Sequence, residues 1–310
     1  MSVVALDLGG TFVKGAVVTA DSRILAAETR PTPAGRGPDA LVDALHSFAD
    51  ALVHRAGRAG DPAIAAGVVV PGIVDETAGI AVRAANLDWD HTPVGPWLSE
   101  HLGLPVAFGH DVRAGALAEA RLGAGRGRRR FAFTPVGTGI ATAVVLAGRP
   151  FSGARGQAGE IGHLPVRSGP DTERCGCGNR GCLETLASAS AIARRYAAAT
   201  GTAARGAREV RDRADEGDPV ARRVWAEAVE ALADGLAAVT TLLDPDALLV
   251  GGGLARAGAS LFTPLEAAVA RRLAFRDPPP LAAARLGDRA GCLGAALLAH
   301  DLGRARTRTL

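Results

Sequence analysis

Two stretches of the sequence share one pattern: a strand, a glycine-rich turn and a second strand. VVALDLGG runs straight into TFVKGAVV near the start, and FAFTPVGTG runs into IATAVVLAGRP near the middle. RILAAET predicts a third strand after the first pair, which makes a β-meander and not the strand–turn–helix unit of a dinucleotide-binding fold. This approximate internal repeat predicts an α/β chain built from two similar lobes.

The length of the chain supports the same division. A chain of 310 residues is too long for one ordinary hydrophobic core. We predict a smaller lobe over residues 1–112, joined by a C-terminal helix at 290–310, and a larger lobe over 113–289. Only 4% of the residues are aromatic, so both cores must be aliphatic.

Charge and composition narrow the choice of partners and compartment. The net charge of +3 is too small to predict a nucleic-acid or membrane partner. No signal peptide is recognisable before the first strand, and no apolar run is long enough to span a bilayer. We therefore expect a cytoplasmic chain, where clustered cysteines indicate a metal or redox site rather than disulfides.

Two of the glycine turns are candidate phosphate loops, because glycine lets backbone N–H groups approach a phosphate closely. The residues of these loops are Asp7, Gly9, Gly10, Thr11 and Lys14 in the first and Gly137, Thr138 and Gly139 in the second. Asp7, at a strand end, can hold Mg²⁺. Lys14, the one lysine of the chain, can neutralise phosphate charge, although strand alternation can also point it away. Either turn taken alone is also compatible with a plain hairpin.

A third glycine turn, LVGGGLARAG, follows a late strand and precedes a helix. Gly252 and Gly253 would let a nucleoside lie against the backbone there. Three strand–glycine turns in this order, with an acid before the first, predict binding of ATP with Mg²⁺. Two loops that hold the ATP phosphates in a cleft between two lobes are typical of the actin-like (ribonuclease H-like) ATPase fold.

Three of the four cysteines lie within HLPVRSGPDTERCGCGNRGCLE. His163, Cys175, Cys177 and Cys182 offer one imidazole and three thiolates, which is a ligand set of closed, tetrahedral structural zinc sites. The close pair is Cys-x-Cys, so the segment lacks a redox CxxC motif, and a chance cluster is the alternative. Cys292, in an apolar helix, is expected to be a buried core thiol.

Two acidic residues flank the cysteine segment. Glu160 lies three residues before His163, and Glu184 lies two residues after Cys182. A bound ion would stiffen a segment with little core of its own and would hold the two carboxylates at a fixed separation. Carboxylates accept hydrogen bonds from sugar hydroxyls, so the segment predicts a polyol-binding site scaffolded by zinc.

These motifs together carry a family resemblance. DLGGTFVKG, VVPGIVDE, NLDW, GLPVAFGHD, VGTGI, GQAGEIGH, CGCGNRGCLE and LLVGGGL occur in the order seen in the ROK family of sugar kinases and repressors. The chain resembles this family over essentially its whole length, and it is most similar to the zinc-containing, bacterial ATP-dependent glucokinase branch. The resemblance implies ATP-dependent phosphorylation of a sugar hydroxyl, with O6 of a hexose as the first expectation.

The resemblance also implies roles for individual residues. Asp111 matches the catalytic base, which accepts the proton of the attacking hydroxyl. The residues that match or adjoin the family's sugar site are Gly79, Asn86, His110, Asp111, Glu160, His163 and Glu184. The three glycine loops match the nucleotide site, with Gly252 and Gly253 on the adenosine side.

The segment around the base departs from the family pattern. The family usually has Asn directly before the Asp and a second Asn two residues after it, whereas this chain has His110 and Arg113. A neutral imidazole offers one donor and one acceptor in different directions. The alternative prediction is therefore an acceptor other than an ordinary hexose, such as a modified sugar or a sugar-like cyclitol.

A non-catalytic, sugar-responsive regulator is a further alternative, because ROK repressors share this core. Those proteins carry an N-terminal helix-turn-helix, and here the phosphate strand begins at residue 3, so we expect an enzyme. The resemblance implies a homo-oligomer, either a dimer or a tetramer.

Overall fold

The computed structural model describes residues 1–33 and 35–307, which form two compact units. The first unit contains Met1–Arg121, Ser152–Gln157 and the chain from Asp288 onward, and the second contains Leu122–Phe151 and Ala158–Gly287. The elements, in chain order, are β1 (Ser2–Leu8), β2 (Phe12–Thr19), β3 (Ile24–Pro31), α1 (Pro38–Arg58), β4 (Ala63–Val70), β5 (Ile73–Asp75), β6 (Ile80–Ala84), β7 (Trp89–Thr92), α2 (Val94–Leu102), β8 (Val106–His110), α3 (Asp111–Leu122), β9 (Phe131–Pro135), β10 (Ala143–Leu146), β11 (Arg149–Phe151), α4 (Leu183–Ala187), α5 (Ala189–Thr200), α6 (Ala207–Asp215), α7 (Pro219–Leu243), β12 (Leu248–Gly251), α8 (Ala259–Arg272), β13 (Leu281–Ala283) and α9 (Ala290–Thr307).

The first unit is built on a five-stranded sheet in the order β3-β2-β1-β4-β8. The strands β1, β2 and β3 form the predicted antiparallel meander, and β4 and β8 run parallel to β1. The central strands β1 and β4 are almost entirely buried because helices α1 and α9 both pack on this sheet. The edge strand β3 instead alternates between half-buried and exposed residues, as expected for a strand with one solvated face.

The core of the first unit is aliphatic, as the composition predicts. The helix α1 buries Leu45, Phe48 and Leu52 in the same cluster as Val4 and Leu6 of β1. Three short strands, β5, β6 and β7, form a separate antiparallel sheet that the sequence patterns did not predict. Their segment is rich in turn-forming and polar residues, so it carries no clear alternation.

The second unit repeats the topology of the first. Its sheet has the order β11-β10-β9-β12-β13, in which β9, β10 and β11 are antiparallel neighbours and β12 and β13 run parallel to β9. The predicted internal repeat is therefore present as two sheets of the same strand order. The helices α4 to α8 supply most of a second aliphatic core, centred on α7, which buries Leu232 and Leu236 completely.

The first unit extends past residue 112, where the sequence placed the end of the smaller lobe. Helix α3 belongs to it as far as Arg121, whose guanidinium forms two hydrogen bonds of 2.9 and 2.6 Å with the Asp301 carboxylate of α9. Residues 308–310 of the predicted C-terminal helix lie outside the described residues. Among the described helices, none is both long and apolar enough to cross a lipid bilayer.

Candidate active site

The carboxyl ends of the parallel strands in the first unit bring two acidic residues to one edge of the sheet. Asp7 of β1 is paired with Val69 of β4, and the next residue, Val70, is paired with His110 of β8. Asp111 follows directly as the first residue of α3. Ligands of open α/β sheets bind at this edge, and a carboxylate at a helix N-terminus is stabilised by the backbone dipoles.

Both carboxyl groups have raised pKa values. Burial, with the negative charge of Asp111 as a second cause, raises the pKa of Asp7 to about 7, while the charge of Lys14 opposes the shift. Burial also raises the pKa of Asp111 to about 6, against the lowering effects of the Val112 N–H and the Arg113 charge. A carboxylate with a pKa just below neutral suits a general base, since it is mostly ionised at pH 7 and still basic enough to accept a proton.

Lys14 faces Asp7, so strand alternation does not point it away from the acid. The two residues are cross-strand partners in the β1–β2 ladder, with 4.0 Å between Lys14 Nζ and Asp7 Oδ2. The ammonium also donates a hydrogen bond of 3.0 Å to the Asp288 carbonyl. Lys14 therefore places a positive charge beside the carboxylate that precedes the first glycine loop.

The first glycine loop is a tight turn whose backbone is held at both ends. Gly9 N–H donates to the Phe12 carbonyl at 2.9 Å, and the Thr32 hydroxyl donates to the Gly9 carbonyl at 2.6 Å. A Cβ atom at Gly10 would lie 3.4 Å from the Asn86 Cβ, so the structure brings Asn86 against this loop. Thr11, at the tip of the turn, is exposed.

Gly79 lies in a different environment from the other predicted sugar-site residues. It sits between β5 and β6 and packs against the first turn of α2, where its carbonyl accepts the Gly95 N–H at 2.9 Å. It lines a cavity of about 400 Å³ that also includes Glu76 and Phe108. Its role in binding an acceptor stays a prediction.

The imidazole of His110 is buried and neutral. Its Nδ1 accepts the backbone N–H groups of Val112 at 3.2 Å and of Arg113 at 3.4 Å, so the ring proton must reside on Nε2. Burial first, and the charge of Arg113 second, lower the pKa of His110 to about 3. At neutral pH His110 can therefore present only a hydrogen-bond donor, from Nε2.

In the second unit, the turn between β9 and β10 is held by hydrogen bonds from neighbouring elements. Its Gly137 and Thr138 carbonyls accept the Ala189 N–H at 2.8 Å and the Ser190 hydroxyl at 2.6 Å, both from the start of α5. The N–H of Ile140, at the end of the turn, donates to Glu184 Oε2 at 3.0 Å. The second predicted phosphate loop is therefore fixed in place by α4 and α5.

Glu184 packs closely on this loop, so a side chain at position 139 would require the Glu184 carboxylate to shift. A Cβ atom at Gly139 would lie 2.5 Å from Glu184 Oε2, which is closer than non-bonded atoms approach. Glu184 is predicted to bind sugar, and in the structure its carboxylate contacts the predicted phosphate loop.

The third glycine loop lies directly against the second. Val136 N–H donates to the Gly251 carbonyl at 3.0 Å, and Leu254 N–H donates to the Val136 carbonyl at 3.1 Å. A cavity of about 400 Å³ opens beside this loop. Its lining residues include Gly253, Trp225, Arg208, Arg211 and Arg256, of which only the glycine was predicted. The structure thus brings the predicted phosphate and adenosine loops of this unit together next to a cavity.

The predicted metal ligands converge on one point. The candidate ligand atoms of His163, Cys175, Cys177 and Cys182 all lie within 4.8 Å of one another. The distance from Cys177 Sγ to Cys182 Sγ is 3.7 Å, and the distance from Cys175 Sγ to His163 Nδ1 is 3.5 Å. Tetrahedral zinc with Zn–S bonds of about 2.3 Å and Zn–N bonds of about 2.0 Å requires an S–S separation of about 3.8 Å and an S–N separation of about 3.5 Å. The residues therefore fit a zinc ion in number, chemistry and spacing.

The metal cluster and the two predicted acceptor acids share one short region. Glu160 precedes a single 3₁₀ turn, Ile161–His163, and Glu184 lies in the first turn of α4, which Cys182 precedes. A Cβ atom at Gly162 would lie 3.5 Å from the Glu184 Cβ, so the turn that carries His163 packs against Glu184. Leu183 N–H donates to the Leu164 carbonyl at 2.9 Å, which ties the two segments together.

The chain belongs to the ROK family, whose model matches residues 3–302. The glucokinase of Streptomyces coelicolor is 32% identical, with 96% of this chain and 97% of the relative covered. The N-acetylmannosamine kinase of Citrobacter koseri is 36% identical, with 97% and 99% covered. The family resemblance inferred from the motifs is therefore confirmed, and the match does not by itself establish the zinc-containing branch.

A solved structure gives the same fold. The ROK family glucokinase of Streptomyces griseus, crystallised with glucose and AMPPNP, aligns with a TM-score of 0.83 and 31% identity and covers 97% of this chain and 100% of its own. The prediction of an α/β chain with the actin-like ATPase fold is therefore confirmed.

Proposed function

We propose that this chain transfers the γ-phosphoryl group of ATP to a sugar hydroxyl, with O6 of a hexose as the first candidate acceptor and Asp111 as the general base. The chain is an ATP-dependent sugar kinase, in line with its family and with relatives that it matches over nearly their whole length. The acceptor atom and the residue roles are the proposal. We place the reaction in the cytoplasm, where ATP is available.

The observation that carries the proposal is the environment of Asp111. It stands at the carboxyl edge of the first sheet with a pKa of about 6. Its Oδ1 accepts the Val112 N–H at 2.7 Å, which fixes the carboxylate and leaves Oδ2 to accept the proton of an acceptor hydroxyl. A base of this kind contributes by removing that proton as the oxygen meets the phosphorus atom.

The nucleotide roles are assigned loop by loop, as the family resemblance implies. We assign the phosphates to the loops of Gly9–Thr11 and Gly137–Gly139, and the adenosine to the cavity beside Gly252 and Gly253. Asp7 would hold Mg²⁺, which neutralises phosphate charge when it is bound with ATP. Lys14, 4.0 Å from Asp7, adds a positive charge to the same edge.

We assign the binding of the acceptor sugar to the segment that carries the candidate metal ligands, residues 160–184. We propose that Glu160, His163 and Glu184 bind acceptor hydroxyls. The family resemblance implies the same role for Gly79, Asn86 and His110 of the first unit. His163, Cys175, Cys177 and Cys182 would hold a structural zinc ion, which would fix the turn that carries the acids. Purified protein with ATP and a hexose should release ADP; no ADP release with any hexose, alongside normal nucleotide binding, would contradict the assignment.

A second candidate acceptor, a modified sugar or a cyclitol, is favoured by the state of His110. The Nδ1 atom is used by two backbone N–H groups, so this position offers a donor where the family's Asn offers a donor and an acceptor. The Nε2–H donor can be satisfied by any oxygen lone pair, so an acceptor without a hydroxyl that must donate at this position would suit the site better than one with it.

The variant His110→Asn tests this candidate. We expect kcat/KM for glucose to rise about tenfold, because a restored acceptor atom removes one unmatched hydrogen bond. The matched control is His101→Asn, since His101 lies on the surface of the same unit and pairs with Asp50 at 2.9 Å. An unchanged or lower value in His110→Asn would remove the support for a special acceptor.

Glu184 should influence both substrates, because its carboxylate contacts the phosphate loop. We expect Glu184→Ala to weaken AMPPNP binding several-fold in the absence of sugar, since the Ile140 N–H loses its partner. Glu184→Gln keeps an oxygen for that N–H and should bind AMPPNP like the wild type while losing sugar affinity. Calorimetric titration measures both affinities, and equal AMPPNP affinity in Glu184→Ala and the wild type would exclude the contact as a support of the loop.

A further inference from the structure

We propose that Arg113 is a positioning residue for the catalytic base, and that it holds the start of α3 in place through Glu76 and the carbonyl of Gly156. The proposal rests on the proposed role of Asp111. The family usually has Asn where this chain has Arg113. The proposal gives a physical reason for this difference.

The first observation is the way in which Arg113 and Glu76 bracket Asp111. Arg113 Nε donates to Glu76 Oε1 at 2.9 Å, and the backbone N–H of His110 donates to the same oxygen at 3.3 Å. One carboxylate oxygen therefore binds the residue before the base and the residue two positions after it. This arrangement fixes the turn from β8 into α3 on both sides of Asp111.

The second observation is that the guanidinium also binds a distant segment. Arg113 Nη1 donates to the Gly156 carbonyl at 2.9 Å, and Gly156 belongs to Ser152–Gln157, the stretch of the first unit that interrupts the second. The chain continues from there directly into the turn that carries Glu160 and His163. Arg113 thus joins the base-bearing helix to the segment that precedes the proposed acceptor ligands.

The burial of Arg113 argues against an incidental surface ion pair. Its side chain is only 4% exposed, whereas that of Glu76 is 39% exposed. A buried guanidinium is costly to desolvate, so a pair of this kind is weak evidence for stability. Arg113 Nη2 is buried with no hydrogen-bond partner among the described residues, so the side chain is not optimised for stability. A role in holding and tuning the base accounts for this costly burial.

The charge of Arg113 also acts on its neighbours. It lowers the pKa of Asp111 against the effect of burial, and it lowers the pKa of His110. The other titratable or charged groups described around Asp111 are Asp7 on β1, Lys14 on β2 and the neutral ring of His110, whose Nδ1 lies 3.4 Å from Asp111 Oδ1. The pKa of Asp7 responds to burial, to Asp111 and to Lys14, so Arg113 acts on the base more directly than on the proposed magnesium ligand.

The test is the pH profile of kcat/KM in Arg113→Met. The base must be ionised, so the rate falls as the pH drops through its pKa, by roughly tenfold per pH unit. Removal of the positive charge of Arg113 raises the pKa of Asp111. We therefore expect the low-pH side of the profile, its acid limb, to move to higher pH by about half a pH unit or more. We also expect kcat/KM at pH 8 to fall about tenfold or more through lost positioning. Arg113→Lys should return the acid limb toward its wild-type position, because lysine keeps the positive charge. It should recover only part of the rate, because lysine lacks the planar guanidinium that binds Glu76 and Gly156 together.

Two further variants complete the design. Arg121→Met removes the other ion-paired arginine of α3, which binds Asp301 on the surface, and should leave the profile unchanged. Glu76→Gln keeps an oxygen for both N–H groups and removes the opposing charge, so the acid limb should move to lower pH. If Arg113→Met does not fold, the position of the acid limb in Glu76→Gln and in Arg113→Lys tests the proposal instead.

Direct titration of the Asp111 carboxyl by NMR, assigned with Asp111→Asn, separates this proposal from the proposed function. An acid limb and an Asp111 pKa that both stay at wild-type values in folded Arg113→Met would overturn the positioning role. An Asp111 pKa that shifts as expected, in a protein whose Asp111→Asn variant remains fully active, would support the Arg113 effect and overturn the role of Asp111 as base.

Discussion

Replacing Asp111 with Asn is expected to lower kcat by about 10³-fold with nucleotide affinity unchanged. Asn keeps the size of the side chain and an oxygen for the Val112 N–H, which now binds Asp111 Oδ1 at 2.7 Å, so the fold should be retained. It cannot accept a proton, and loss of a general base typically costs two to four orders of magnitude, roughly 10²- to 10⁴-fold. Steady-state kinetics and AMPPNP titration measure the two quantities.

The matched control for this variant is Asp90→Asn, since Asp90 is an exposed acid of the same unit with a side chain 83% exposed. It should have wild-type kcat and KM. Turnover near the wild-type value in Asp111→Asn would show that another group removes the proton.

Replacing Cys177 with Ser is expected to release the metal and to raise KM for the sugar about tenfold or more. Cys177 is an exposed member of the cluster, so the substitution disturbs little besides the ligand set. Serine is a poor ligand for zinc, and the turn at Ile161–His163 would lose one of its fixed points. Metal analysis of the purified variant and sugar titration give the two readouts.

A cysteine outside the metal cluster, Cys292 of the first unit, provides the control for that experiment. Cys292 is buried and its thiol donates to the Ala5 carbonyl at 3.7 Å, far from the metal cluster in the sequence. Cys292→Ala should lose about 1 kcal/mol of stability and keep both metal and sugar affinity. Loss of the metal in Cys177→Ser with unchanged folding and sugar affinity would contradict the scaffolding role of zinc.

The features that the sequence predicted best are the ones encoded within short segments. Glycine turns between apolar strands locate the loops at Gly9 and Gly137, because the turn chemistry and the strand pattern are both local. The candidate metal ligands can be picked out for the same reason: three cysteines and a histidine lie within twenty residues, and the structure brings these four side chains together. The repeat of two meanders predicted two sheets, and both have the same strand order.

The features that sequence reasoning missed depend on contacts between distant residues. The partners of Arg113 are Glu76 and Gly156, which lie 37 and 43 residues away, and no local pattern links them. The direction of Lys14 depends on the register of β2 against β1, which alternation alone leaves open. Helix α3 lies with the first unit as far as Arg121, and the pairing of Arg121 with Asp301 spans 180 residues, so no local pattern indicates it. The hydrogen bond from the Ile140 N–H to the Glu184 carboxylate joins residues 44 positions apart, so spacing along the sequence could not indicate it.

The most direct test of the account is a panel of hexoses, N-acetylhexosamines and cyclitols, each incubated with purified protein and ATP with Mg²⁺. ADP release and the phosphorylated product, by mass spectrometry, are measured in the same samples. We predict that at least one member of the panel yields a sugar phosphate in equal amount to the ADP released, and that the Asp111→Asn variant yields neither. Absence of any phosphorylated product, from protein that binds AMPPNP normally, would contradict the assignment of this chain as a sugar kinase with Asp111 as its base.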